Sequence, residues 1–247
     1  VLGVACYAVA FAFVERRAGP VTNFYFYSSA GGLLTLLGSR AALGDGRALF
    51  WCVLAIGGSL LGRRFDRTTL RYHGAAYLWA AGLATGLLPS ASKALLGDPR
   101  DGLPLPTVAG FLTAAAALAC GAVLAWDRKA QGWRRIPHGL VAALTTWVVA
   151  GILVGALTRA GQATVQAPLV ATWRTTVLAA LAVALAQLAR QFALAEPARL
   201  VYPILALGGL KLVLEDVPAG RAATLFASFV VYGAALLVAP RLLRARG

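Results

Sequence analysis

Four ionisable residues lie where an apolar chain is expected to carry none. Arg174 sits within Thr172-Trp173-Arg174-Thr175-Thr176, inside an apolar run over about 167–189. Lys211 sits near the end of the next run, over about 198–214, and Glu215 and Asp216 follow it directly. Lys211 and Glu215 are four apart, so a helix puts them on one face. If the two runs are neighbours, the four groups form one polar cluster. Ionisable groups at membrane depth bind ions, relay protons or hold anionic substrates. A structural reading stands beside this one: long basic side chains snorkel toward headgroups, and Lys211 ties down a loop through Glu215 or Asp216.

Glu215-Asp216 is also an acidic pair of the kind that holds a metal in a transferase acting on a lipid-linked sugar. A dipeptide is weak support, and no other catalytic signature accompanies it. The sequence has no His-Glu-x-x-His, no Gly-x-Ser-x-Gly, no phosphate loop and no Asp-rich prenyl-transferase motif, which weighs against an enzyme. His73 and His138 each open an apolar run and precede glycine. A bis-histidine haem between two helices is one reading, and interfacial histidine is the other. Cys6, Cys52 and Cys120 lie in apolar stretches without metal-like spacing, so they read as small hydrophobes. Neither a cofactor nor a metal is expected.

The elements that must position these groups are readable from composition. Of 247 residues, 60% are hydrophobic and 13% are charged, whereas a soluble domain carries about 25% charge. Apolar runs recur at about 1–14, 22–39, 48–62, 70–88, 105–126, 138–158, 167–189, 198–214 and 221–239. A crossing of the hydrocarbon layer takes roughly 20 residues of helix. Between the runs stand Gly19-Pro20, Gly44-Asp45-Gly46, Ile136-Pro137, Glu196-Pro197 and Pro218-Ala219-Gly220, which are loop signals or helix starts. Continuous apolar runs, not period-two alternation, fill each segment, so helices are preferred to a barrel. The expected fold is all-α, a polytopic bundle of about nine transmembrane helices forming one membrane domain over 1–247. The chain begins Val1-Leu2-Gly3 and contains no methionine, so it is expected to lack its native N-terminus.

The net charge of +14 does not mark a nucleic-acid binder, because the bases sit at the ends of apolar runs and form no single face. That distribution is the one produced by orientation signals and by contact with anionic headgroups. The gaps after runs one, three, five and seven, together with the C-terminal tail, hold 15 of the 23 bases, against 8 in the other gaps. The basic side is the cytoplasmic side. This predicts a C-terminus inside and a visible N-terminus outside. Tyr72, Trp126 and Trp133 then anchor the inner interface and Trp51 and Trp173 the outer one, while the segment from Arg128 to His138 lies along the inner surface. Gly58 and Gly62, Gly82 and Gly86, and Gly151 and Gly155 are each four apart. Such GxxxG pairs let helices approach closely, either within the bundle or at a homodimer seam.

The last 50 residues carry Lys211-Leu-Val-Leu-Glu-Asp216, a short loop, the run Leu225-Phe-Ala-Ser-Phe-Val-Val-Tyr-Gly233 and a basic tail. In this part the chain resembles the domain-of-unknown-function 2339 family of predicted bacterial membrane proteins, although Arg221 falls earlier than that family's arginine. The resemblance implies a many-spanning inner-membrane protein and brings no activity with it. Three functional readings follow. One is a transport-like or channel-like membrane protein, the second a non-catalytic structural or assembly subunit of a larger membrane complex, and the third a lipid-linked glycosyl transferase. The expected partners are anionic lipid and another membrane protein or a second copy of the chain, and no nucleic acid.

Overall fold

Leu, Ala and Val in runs longer than any strand, bounded by Gly and Pro, dictate helices. In the computed structural model, which describes residues 3, 5–6, 21–98, 105–125, 132–160 and 167–244, every regular element is helical. In chain order these are α1 (Val21–Ala42), α2 (Arg47–Arg64), α3 (Thr68–Ala84), α4 (Leu87–Leu96), α5 (Val108–Ala125), α6 (Ile136–Ala160), α7 (Ala167–Phe192), α8 (Ala195–Lys211) and α9 (Ala222–Arg244). A π turn over Leu212–Asp216 and one further turn over Val217–Ala219 extend α8.

Five of these segments are long and apolar enough to cross a membrane: Val108–Ala125, Gly132–Ala160, Ala167–Phe192, Ala195–Asp216 and Ala222–Arg244. The count of about nine is therefore not confirmed. The first expected run, 1–14, lies almost wholly outside the described residues. The runs at 22–39, 48–62 and 70–88 do form helices, but α1 is diluted by Ser28, Ser29, Thr35 and Ser39. Likewise α2 carries Arg47, Arg63 and Arg64 within 18 residues, and α3 is 17 residues long. The run at 70–88 is also interrupted. Gly86 adopts a left-handed φ of 70° and opens a separate short helix, α4. A side chain with a Cβ is strained in that conformation, so glycine fits the turn. Gly86 consequently shares no helix face with Gly82.

The chain divides into two compact units, Val1–Thr85 with Val108–Val141, and Gly86–Thr107 with Ala142–Gly247. In the first, α2 and α3 pack so closely that a Cβ on Gly58 would lie 2.9 Å from the Leu70 carbonyl oxygen, and one on Gly74 2.9 Å from that of Ala55. Trp51, expected at an interface, is buried in this unit and donates to Ser39 Oγ at 2.7 Å. Cys52 and Cys120 are buried free thiols, with Cys52 Sγ 3.6 Å from Thr113 Oγ1.

The second unit is built around α7. Its inward face repeats at helical spacing through Val170, Arg174, Val177, Leu178, Ala182, Leu185, Ala186 and Ala189. Alanines at Ala179, Ala182 and Ala186 meet Val201 and Leu205 of α8 and Ala235 and Ala239 of α9 in one cluster. Small side chains there bring the helix backbones close, as membrane helices require. On its other side α7 gives Val177 and Leu178 to Ala94 and Leu95 of α4 and Ala150 and Val154 of α6. Outward faces are apolar: Leu210, Val213, Leu214, Phe226, Phe229 and Leu237 are all exposed, and only 17% of the apolar window of α9 is buried. Water would oppose such a surface, whereas hydrocarbon does not.

Candidate functional site

The four charged residues singled out in the sequence come together in the second unit. Arg174 lies on the inward face of α7, seven residues from its start, or about 10 Å along the axis. It is fully buried. Its Nε donates to the Ala94 carbonyl at 2.7 Å, its Nη2 to the Gly97 carbonyl at 2.8 Å, and its Nη1 to Glu215 Oε1. The first two acceptors belong to the C-terminal end of α4, where helix carbonyls lack intrahelical donors and the dipole favours a cation. Arg174 therefore closes the end of the short helix and pairs with Glu215 at the same time.

Lys211 donates to the other oxygen of Glu215. Glu215 is thus held between two bases and is 19% exposed. Asp216 is treated differently. It is 2% exposed, accepts from Thr175 Oγ1 at 3.0 Å through Oδ2, and its Oδ1 has no hydrogen-bond partner. Among the described residues no base pairs with it. The Ser228 hydroxyl of α9 lies beside the same carboxylate and donates to Thr172 Oγ1 at 3.5 Å. Trp173 Nε1, buried next to these threonines in sequence, also lacks a partner.

The π turn explains how Glu215 and Asp216 reach different neighbours. Its closing bond runs from the Val217 N–H to the Leu212 carbonyl, five residues back. Pro218 follows, has no N–H to donate, and its ring crowds the carbonyl four residues before it, so the regular ladder cannot continue. Widened turns of this kind recur at functional sites. The turn was not legible from periodicity, although Pro218-Ala219-Gly220 marked the place where the helix ends.

The other expected features are distributed differently. His73 packs against α1, where a Cβ on Gly32 would lie 3.2 Å from its Nε2. His138 is buried near the start of α6. Tyr72 and Trp133 stack with centroids 6.2 Å apart, and Tyr72 donates to the Trp133 carbonyl at 3.0 Å. Trp126 and residues 128–131 lie outside the described residues. Gly151 sits where a Cβ would come 2.5 Å from Ala91 of α4, whereas Gly155 has only Leu105 nearby, at 3.7 Å.

One charged group was missed. Arg71, counted with the loop bases, is fully buried and pairs with Asp66 Oδ1 at 3.0 Å, while Arg134 reaches Asp66 Oδ2 at 3.4 Å. Asp66 adopts a left-handed φ of 51° between α2 and α3. The available signal was Asp66 itself, a single acid within a run of four arginines from Arg63 to Arg71.

No protein-family model matches the chain, and neither does any curated protein or any solved structure. Among the described residues no three His, Cys, Asp or Glu side chains group as they would around a metal ion.

Proposed function

We propose that this chain is an integral protein of the bacterial inner membrane with a transport-like role, its polar cluster handling a small ionic solute. In this reading it spans the bilayer about nine times, its C-terminus is cytoplasmic, and the basic gaps rest on anionic headgroups. The five long apolar helices and their exposed Leu, Val and Phe faces support the membrane part. The observation that carries the functional part is the buried cluster itself. Two bases and two acids lie on helices whose outward faces are apolar, and one acid keeps an unsatisfied oxygen. Charges in such a place are costly, and they mark pathways in membrane proteins. The resemblance of residues 198–247 to the domain-of-unknown-function 2339 family belongs to the same proposal and adds no substrate.

A second reading, a structural or assembly subunit, draws on Arg174. That guanidinium is fully engaged with Ala94, Gly97 and Glu215, which is what a fixed tie between helices looks like. The glycosyl-transferase reading is weaker. It needs Glu215 and Asp216 to share a divalent metal, yet Glu215 is already held by Arg174 and Lys211.

The test is reconstitution into proteoliposomes under imposed sodium, potassium and proton gradients, read by a potential-sensitive dye and a trapped pH dye. The transport-like reading expects flux above that of empty vesicles, abolished or cut at least tenfold in Lys211→Ala and Asp216→Ala. Flux equal to empty vesicles, or unchanged in variants that fold, contradicts it. A stoichiometric partner recovered in mild detergent supports the subunit reading.

A further inference from the structure

We infer that Asp216, Thr175 and Ser228 hold a monovalent cation of sodium size. The inference deepens the transport-like reading and rests on it for its purpose, naming the ion that the cluster takes. The geometry stands on its own. Asp216 comes from the π turn after α8, Thr175 from α7 and Ser228 from α9, so three elements of one unit bring polar side chains to one carboxylate. Asp216, Thr175 and Ser228 are each at least nine-tenths buried. Thr172, three residues before Thr175 on the same face of α7, lies 3.5 Å from Ser228 through their hydroxyl oxygens.

A buried carboxylate oxygen without a donor is expensive, and a site retains one when something fills it. Asp216 Oδ1 is such an oxygen. Arg174 and Lys211 do not answer it, since both are joined to Glu215. A proton needs one acceptor, whereas a hard cation needs several oxygens, and neutral hydroxyls from two further helices supply them. With cation–oxygen distances of about 2.4 Å, ligands at right angles are about 3.4 Å apart. Within the proposed set, Thr175 and Asp216 are 3.0 Å apart, near that spacing. Arg174 and Lys211 already balance Glu215 and Asp216, so a bound cation adds its full charge to a low-dielectric site, and a monovalent ion adds the least.

The experiment is thermal unfolding of the purified protein in detergent, in sodium, lithium, potassium and choline chloride at equal ionic strength. At ten times the half-saturating concentration, sodium is expected to raise the melting temperature by about 3–5 °C over choline. The rise is expected to saturate, and to vanish in Asp216→Asn. Should that variant not fold, Ser228→Ala serves: loss of one ligand is expected to raise the half-saturating concentration about tenfold. Equal melting in all four salts overturns the site, as does a sodium effect that persists unchanged in both variants. Sodium-dependent melting without flux in vesicles keeps the site and contradicts the transport-like reading. Flux without any sodium-dependent melting does the reverse.

Discussion

Arg174 and Asp216 are both buried and charged, and the structure asks opposite things of them. Arg174 satisfies two orphan carbonyls of α4 and one carboxylate oxygen, so its removal leaves the two carbonyls without donors and Glu215 with Lys211 alone. Breaking a buried pair from one side costs about 3–5 kcal/mol. Arg174→Ala is therefore expected to lose stability on that scale in detergent unfolding, and a loss below about 1 kcal/mol would remove Arg174 from the frame of the unit. Arg174→Lys keeps the charge but not the planar fork, so about 1–3 kcal/mol is expected to be lost there too. Asp216, with one oxygen unmet, supports little of the frame and is the better place to look for a ligand. Arg174, Lys211, Glu215 and Asp216 were legible because charge inside an apolar run is costly and stands out. The pair of Arg71 and Asp66 was not, because a base at a run's edge looks the same whether it reaches solvent or turns inward. The bond of Trp51 to Ser39 was not legible for the same reason: an indole can anchor at headgroups or donate inside a core, and the sequence alone does not show Ser39 opposite it.

Among the elements, α4 and the π turn matter most, and neither was visible in the hydropathy. The apolar run from 70 to 88 continues smoothly through Gly86, so only the left-handed backbone there reveals that one run makes two helices. The π turn differs from its α-helical surroundings by one residue per turn, which no periodicity over five residues resolves. Both elements serve the cluster, since α4 ends on Arg174 and the π turn carries Glu215 and Asp216. The seat of α4 is set by Gly151 of α6. Gly151→Leu is expected to push Ala91 away, shift the Ala94 and Gly97 carbonyls from Arg174, and cost about 1–3 kcal/mol. Gly139, on the same helix with nothing within 4 Å, is the control. Gly139→Ala is expected to be neutral or stabilising by a few tenths of a kcal/mol, measured in the same unfolding experiment. Equal effects of the two would mean that α4 is not seated by that contact.

At the scale of the whole molecule, the bias of 15 bases against 8 predicts an orientation, and the five helices long and apolar enough to cross a membrane supply part of the frame for it. The class of fold was readable because hydrocarbon admits so few solutions. The number of crossings was not, because α1, α2 and α3 are either diluted by polar residues or too short to be judged by apolarity alone. Orientation can be checked across α9 in a chain freed of Cys6, Cys52 and Cys120. A thiol at Arg221→Cys is expected to react with an impermeant reagent in intact cells, and one at Arg244→Cys only after permeabilisation. Reaction of both from outside would reverse or remove the last crossing.

The cluster around Asp216 is proposed to serve an ion and not only to hold helices together. Uptake of radiolabelled sodium into proteoliposomes, comparing the wild-type chain with Asp216→Asn at matched folded content, tests it most directly. Uptake is expected to saturate with sodium in the wild type and to fall to the level of empty vesicles in the variant. Wild-type uptake no greater than that of empty vesicles, or equal uptake by the two proteins, would contradict it.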